Sequence, residues 1–220
     1  MRFTKAEVNG NDFVILENVN CSDVDIKRIA DRRYGIGSDQ VIFFDNSSNN
    51  VQFFNMDGQK ADMCGNGLCA LAKIYPGRPF KVGKTVYETS YNNNGFCSVI
   101  LPMPVCLKSG INYKFIDTGN KHIVHIGKNM DMLSYNDQYN VHFLKILSKN
   151  KLSIETYERG VGKTYSCGSG AIASAFAYGE PGAVNHVIHE GGESYVDLSQ
   201  SLSVVAFAAC PNILFYGDFY

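Results

Sequence analysis

MCGNGLC at residues 63–69 and SCGSGAI at residues 166–172 carry the same Cys-Gly-x-Gly run, each at the start of an apolar stretch. A repeated motif points to a repeated architecture, and the surroundings of the two runs repeat as well. FFNMDGQKADMCGNG (53–67) set against TYERGVGKTYSCGSG (156–170), an offset of 103, places Asn55 opposite Glu158 and Cys64 opposite Cys167. Gly65 then faces Gly168, and Gly67 faces Gly170. The apolar or alternating stretches VQFFN and LSIETY before each motif read as strands. The runs behind the motifs, LCALAKI and AIASAFAYG, suit helices of small and apolar residues. Upstream, Gln40 with VIFF resembles Asn140 with VHFLKIL at an offset of 100, and Gly10-Asn11-Asp12-Phe13 resembles Gly119-Asn120-Lys121-His122 at 109. Three echoes in register imply duplication with small differences in loop length.

The fold expected from this pattern is α/β (α+β). It comprises two pseudo-symmetric halves, residues 1–104 with Cys64 and 105–212 with Cys167. LPMPV (101–105) forms the connector, where Pro102 and Pro104 suit a link. SDVDIKRIADRR (22–33) predicts an amphipathic helix capped by Ser22, with Ile26, Ile29 and Ala30 turned inward. YNNNG (91–95) and GKNMD (127–131) read as turns between strands, and SSNN (47–50) as a polar loop.

Composition narrows the function classes. The chain has 220 residues, 45% hydrophobic, with a formal net charge of −1 and no basic stripe, which argues against a nucleic-acid partner. The N-terminal stretch shows no secretory pattern, and the longest apolar run, VVAFAAC, is too short to span a bilayer, so a soluble, cytoplasmic protein is expected. Seven cysteines are scattered with no pair at zinc spacing, so no metal site is expected. Most of them read as small buried hydrophobes. Cys69 follows Cys64 by five residues, about 500° around a helix, and so points away from the Cys64 face.

Cys64 and Cys167 differ because each opens a helix. The helix N-terminus favours a thiolate, by on the order of 1 kcal/mol or roughly one pH unit. Glycines without a Cβ let backbone N–H groups point into a cavity, forming a site for an anion such as a carboxylate. One thiolate could remove a proton from the carbon beside a carboxylate while a thiol returns one to the opposite face. That inverts configuration without redox change or metal, and the helix ends stabilise the charge that develops.

These residues resemble the diaminopimelate epimerase family of cofactor-independent amino-acid epimerases. The likeness runs through GNDFVI (10–15), DRRYGIGSDQ (31–40), FFNMDGQKADMCGNG, TGNKH (118–122), YNVHF (139–143), YERGVGKTYSCGSGA (157–171) and GGESYVDLS (191–199). It implies that Cys64 and Cys167 are the two acid/base residues. It implies that Gly65 with Asn66, and Gly168 with Ser169, cradle the reacting carboxylate, while Asn11, Gln40, Asn55, Asn120 and Asn140 line the pocket. Glu158 and Arg159 would bind the substrate's amino and carboxylate groups, Arg159 bidentately. His122 and Glu158 would adjust the ionisation of the sulfurs.

The resemblance further implies a barrel-like, mostly antiparallel sheet around a central helix in each half, with the active site in the cleft between them. Residues 213–220 would return to the first half. It also implies no cofactor, a diaminopimelate substrate, a homodimer, and a place in lysine and peptidoglycan precursor synthesis. Where the family usually has proline after Asn120 the chain has Lys121, and Lys163 stands where glutamate is common. The chain is also shorter than typical around residues 75–115 and 178–186. A related racemase acting on another amino acid is the alternative. A binding module that lost catalysis and a carboxylate-using isomerase of the phenazine-synthesis type both fit the intact cysteine pair less well.

Overall fold

The computed structural model describes all residues, Met1–Tyr220, and divides into two compact units, Met1–Val99 with Cys210–Tyr220 and Ile100–Ala209. In the first unit the strands are β1 (Arg2–Val8), β2 (Asn11–Glu17), β3 (Gln40–Asp45), β4 (Asn50–Asn55), β5 (Lys60–Ala61), β6 (Phe80–Val82), β7 (Thr85–Tyr87) and β8 (Thr89–Tyr91). Strand β9 (Cys97–Pro102) crosses the division. The second unit holds β10 (Val105–Ser109), β11 (Tyr113–Asp117), β12 (Lys121–Ile126), β13 (Asn140–Ser148), β14 (Lys151–Glu158) and β15 (Gly162–Thr164). It continues with β16 (Val184–Ile188), β17 (Glu193–Asp197) and β18 (Val204–Ala209). The last strand, β19 (Pro211–Asp218), pairs antiparallel with β1.

The two units share one strand order. The first reads β19-β1-β2-β3-β4-β6-β7, and the second reads β10-β11-β12-β13-β14-β16-β17 before β18. The registers correspond residue for residue. Phe13 pairs Gln40 as His122 pairs Asn140, and Ile42 pairs Phe53 as His142 pairs Thr156. The short hairpins agree as well, with Phe53 opposite Ala61 and Thr156 opposite Thr164. The first unit thus takes its edge strand from the C-terminal end of the chain, where the second takes the strand next to it in sequence. The turns that set these registers differ slightly. Asn9-Gly10, both at positive φ (52° and 82°), makes the tight two-residue turn between β1 and β2, and Gly119 at φ 101° serves the longer turn between β11 and β12.

Within each unit one long helix carries one of the two crossovers between parallel strands. Helix α2 (Gly65–Ile74; α1 is given below) links β4 to β6, and α3 (Gly168–Tyr178) links β14 to β16. Leu68, Cys69, Ala70, Leu71 and Ala72 of α2 are buried, as are Ala171, Ile172, Ala173, Ala175 and Ala177 of α3. A helix apolar on nearly every face belongs inside. Helix α3 touches every strand from β11 to β14 and from β16 to β18, so the sheet curls around it. Cys69 is among the fully buried residues, its Sγ–H donating to the Cys97 carbonyl at 3.4 Å.

Two local expectations are corrected. The helix expected over 22–33 is a 3-10 turn, Cys21–Asp23, followed by a short α1, Ile26–Ala30, whose cap is Asp25 and not Ser22. Asp25 accepts from the Arg28 N–H at 3.1 Å, and Asp31 ends the helix by taking the N–H groups of Arg33 and Tyr34 at 2.7 Å each. Ile29 and Ala30 are buried, and Ile26 is packed partly buried against them. GKNMD opens a longer connection that includes a 3-10 turn, Met130–Tyr135. The strands it joins, β12 and β13, are parallel, and no tight turn can link parallel neighbours.

The third residue of each central helix is Gly because a neighbouring side chain fills the space of a Cβ. At Gly67 a Cβ would lie 2.6 Å from Phe53 Cε1, and at Gly170 it would overlap the His142 ring. Gly→Ala inside a helix ordinarily stabilises by about 1 kcal/mol. Here overpacking reverses the sign, and Gly67→Ala and Gly170→Ala are each expected to destabilise by about 1–3 kcal/mol. Urea unfolding midpoints measure this; an unchanged or raised midpoint would contradict the packing.

Candidate active site

Cys64 is the N-cap of α2 and Cys167 the N-cap of α3, with nearly the same backbone, φ −134°, ψ 112° and φ −139°, ψ 112°. Each sulfur accepts the N–H of the third helical residue at 3.4 Å, from Gly67 and Gly170 respectively. Those two glycine N–H groups therefore serve the sulfur and do not point openly into a cavity. A sulfur in this position faces the positive end of the helix dipole, where a thiolate is favoured.

In the first unit Asn11 and Asn66 come together beside Cys64, and Gln40 and Asn55 pair with each other. Cys64 Sγ lies 3.9 Å from Asn11 Oδ1, which also accepts from Asn66 Nδ2 at 3.5 Å. Gln40 at the start of β3 donates through Nε2 to Asn55 Oδ1 at the end of β4, at 2.9 Å. Gln40 Oε1 is buried without a partner, an acceptor available to a donor arriving from outside. Gly65 and Asn66 form the first helical turn and are buried.

A charged network of Lys5, Asp12, Arg32 and Asp39 lies behind these residues. Asp39 Oδ2 accepts from Asn11 Nδ2 at 3.2 Å and from the Asp12 N–H at 3.1 Å, fixing the β2 end that presents Asn11. Asp12 is paired with Lys5 at 2.6 Å and with Arg32 at 2.7 Å, and Arg32 reaches Asp39 at 2.8 Å. Lys5 also donates to the Gly37 carbonyl. Burial opposes the charge on Asp12, but the Arg32 and Lys5 hydrogen bonds outweigh it and hold the carboxyl at about 2. Lys5 is almost fully buried within β1, and a lysine at a core position is the sequence signal that could have revealed the network.

In the second unit, Cys167 is buried and its sulfur lies 3.4 Å from Ser169 Oγ. Ser169 Oγ receives Asn120 Nδ2 at 3.4 Å, and Asn120 Oδ1 accepts from His122 Nε2 at 2.9 Å and from the Thr118 hydroxyl at 2.8 Å. Asn140 is buried at the start of β13 and accepts the Arg159 N–H at 2.9 Å, setting the turn after β14. Glu158 accepts from the Thr164 hydroxyl at 2.8 Å, while Arg159 is exposed. Gly168 is buried in the first turn of α3. Lys121 opens β12 opposite Asp117 with its side chain exposed, and Lys163 pairs with Glu190 at 2.7 Å.

His142 was not foreseen as part of this group. It is fully buried, with Nε2 2.9 Å from His122 Nδ1 and Nδ1 3.1 Å from Thr156 Oγ1. Its counterpart in the first unit is Ile42, as Phe13 is the counterpart of His122. The signal in the sequence was a polar residue at an inward position of a strand whose duplicate is apolar there.

Burial pushes His122 down to about 3, His189 to about 4, and His142 well below the ordinary histidine range. All three are therefore neutral in the folded protein at pH values where the unfolded chain, at about 6.5, takes up protons. The unfolded state then binds more protons, so stability rises with pH across that window and falls as pH drops below about 6.5 toward 3. Well below 6.5 each histidine adds about 1.4 kcal/mol of loss per pH unit. Urea midpoints are expected to fall steadily from pH 7 to pH 5; a flat profile would contradict neutral buried imidazoles.

The chain is similar to known proteins in sequence and in fold. The sequence model of the family described as "Diaminopimelate epimerase" matches residues 3–79. The diaminopimelate epimerase of Flavobacterium psychrophilum is 30% identical over 93% of this chain and 93% of its own. That of Chlorobaculum tepidum is 31% identical over 76% of this chain and 79% of its own. Among solved structures, the Bacillus anthracis phenazine biosynthesis protein of the PhzF family aligns with a TM-score of 0.74 at 12% identity, covering 100% of this chain and 99% of that one. A hydroxyproline epimerase from Agrobacterium vitis aligns at 0.70 and 10% identity, covering 99% and 90%. At such identities these structures establish the α+β fold alone. No helix is long and apolar enough to cross a membrane. The sequence relatives carry the assignment: the chain belongs to the diaminopimelate epimerase family, a family of isomerases.

Proposed function

We propose that this protein interconverts LL- and meso-diaminopimelate by proton transfer between Cys64 and Cys167 at one α-carbon. The observation that carries the reading is the pair of cysteine N-caps, each held by the third N–H of its helix in matching sheet registers. Family membership supports it independently.

In this reading Cys64 and Cys167 act on the same substrate carbon. One sulfur, as thiolate, takes the α-hydrogen as a proton, and the bonding pair stays on carbon and spreads into the carboxylate. The other sulfur, as thiol, delivers its proton to the opposite face and is left as thiolate. The product is the inverted centre, with the two cysteines exchanged in protonation state. Backbone N–H groups of Gly65 and Asn66, and of Gly168 and Ser169, stabilise the added negative charge on the carboxylate.

The end that does not react needs its own clamp. Arg159 suits its carboxylate, and Asn11, Gln40, Asn55, Asn120, Asn140 and Glu158 suit the ammonium groups and remaining oxygens. One reactive form pairs a thiolate with a thiol, so activity follows a bell-shaped pH profile. The role in lysine and peptidoglycan precursor synthesis follows from the substrate. A reducing, cytoplasmic setting keeps both thiols available.

Incubation with LL-diaminopimelate in heavy water is expected to yield the meso form with deuterium at one α-carbon, read by NMR and mass spectrometry. Exchange in a monoamino acid instead, with none in diaminopimelate, would establish the racemase alternative. Cys64→Ala and Cys167→Ala are each expected to lower epimerisation by at least about a thousandfold, in line with loss of an acid or base in a proton-transfer enzyme. Retained turnover in either variant would refute the two-base assignment.

A further inference from the structure

The second unit contains an unbroken run of hydrogen bonds that begins deep in its core and ends at a sulfur. Asn120 Oδ1 can only accept, and the one Thr118 hydroxyl proton already goes to it, so Thr118 Oγ1, 3.0 Å from His122 Nε2, accepts there too and the proton of neutral His122 sits on Nε2. His122 Nδ1 is then an acceptor and must receive the Nε2–H of His142. His142 Nδ1 is in turn an acceptor and receives the Thr156 hydroxyl. At the other end, Asn120 Nδ2 donates to Ser169 Oγ, and an ionised Cys167 sulfur, 3.4 Å away, can only accept, so the serine hydroxyl donates to it. Every donor in the run points the same way.

We propose that Thr156, His142, His122, Asn120 and Ser169 form a one-way hydrogen-bond chain that positions the Ser169 hydroxyl as a donor to the Cys167 sulfur, with His142 as the residue that fixes its direction. The proposal deepens the reading of Cys167 as an acid/base group and rests on it. His142 touches no reacting atom and is a positioning residue. It selects the His122 tautomer, which orients the Asn120 amide, which orients the serine. A hydrogen bond to the charged form of a thiol favours that form.

The geometry around His142 is built for it. Gly170 of α3 leaves the space that the ring fills, and Thr156 stands opposite on β14. The other titratable groups about the chain are His122 on β12, His189 after β16 and Glu158 at the end of β14; α3 brings no charged residue to it. Lys121 is exposed, Lys163 is paired with Glu190, and Arg159 joins the site through its backbone. In the first unit Ile42 and Phe13 occupy the matching register positions, so an imidazole pair stands behind one cysteine only.

The test follows the ionisation of each sulfur in the full-length protein labelled with 13Cβ-cysteine, with the Cys167 signal assigned by its loss in Cys167→Ala. His142→Leu breaks the chain and is expected to raise the Cys167 titration midpoint by about one pH unit, leaving Cys64 in place. His142→Gln keeps an N–H donor for His122 Nδ1 and is expected to restore the midpoint to within a few tenths of a pH unit of the wild type. Should His142→Leu fail to fold, Thr156→Val removes the first donor with little change in shape and shifts Cys167 in the same direction. An unmoved Cys167 midpoint in the folded variant, or His142→Gln shifting as far as His142→Leu, would overturn the proposal. The readout needs no turnover. A wild-type protein inactive on diaminopimelate would sink the substrate reading while leaving the Cys167 shift as evidence for the chain.

Discussion

Each half of this protein is organised around a sulfur atom that accepts the N–H of the third residue of a buried helix. Serine, threonine, aspartate or asparagine would cap a helix better, since sulfur is a weak acceptor. The cap brings the thiol to the N-terminus of the central helix, where backbone dipoles favour its ionised form. The rest of each unit follows from that placement. The glycine at the third position lets the helix settle onto Phe53 in one unit and His142 in the other. The curled sheet buries the helix on almost all sides and thereby holds its N-terminus fixed.

Duplication gives the two units the same register but not the same chemistry. Behind Cys64 the duplicated positions hold Phe13 and Ile42, both fully buried, and the polar scaffolding is a charged network of Lys5, Asp12, Arg32 and Asp39 that aims Asn11. Behind Cys167 the same positions hold His122 and His142, and the scaffolding is neutral. The edge strand β19 pairs with β1, so the first unit needs residues that follow the second in sequence.

The duplication was legible because its markers are local. Cys-Gly-x-Gly at a helix start, the strand before it and the hairpin between them keep a constant spacing of 103, and the registers repeat that spacing. The convergence of Asn11 and Asn66 on Cys64, and of Asn120 and Ser169 on Cys167, came from motif resemblance and not from spacing. The helix at residues 22–33 is shorter than expected because Asp25, three residues after Ser22, caps its first turn and Asp31 takes the Arg33 and Tyr34 N–H groups at its end. His142 was missed because its meaning is relational: only the pairing of β12 with β13 brings it to His122. The network of Lys5 was hidden for the same reason, since its partners lie on β2 and in the loop before β3.

The account stands or falls on two sulfurs serving opposite faces of one carbon, and half-reactions test that most directly. In Cys64→Ala and Cys167→Ala, each remaining thiolate can still remove and return a proton on its own side. Solvent deuterium exchange without inversion is measured for the LL and the meso forms separately. The account predicts that one variant exchanges the reacting α-hydrogen of LL-diaminopimelate only, and the other that of the meso form only. Exchange of the same isomer by both variants, or inversion by either, would contradict it.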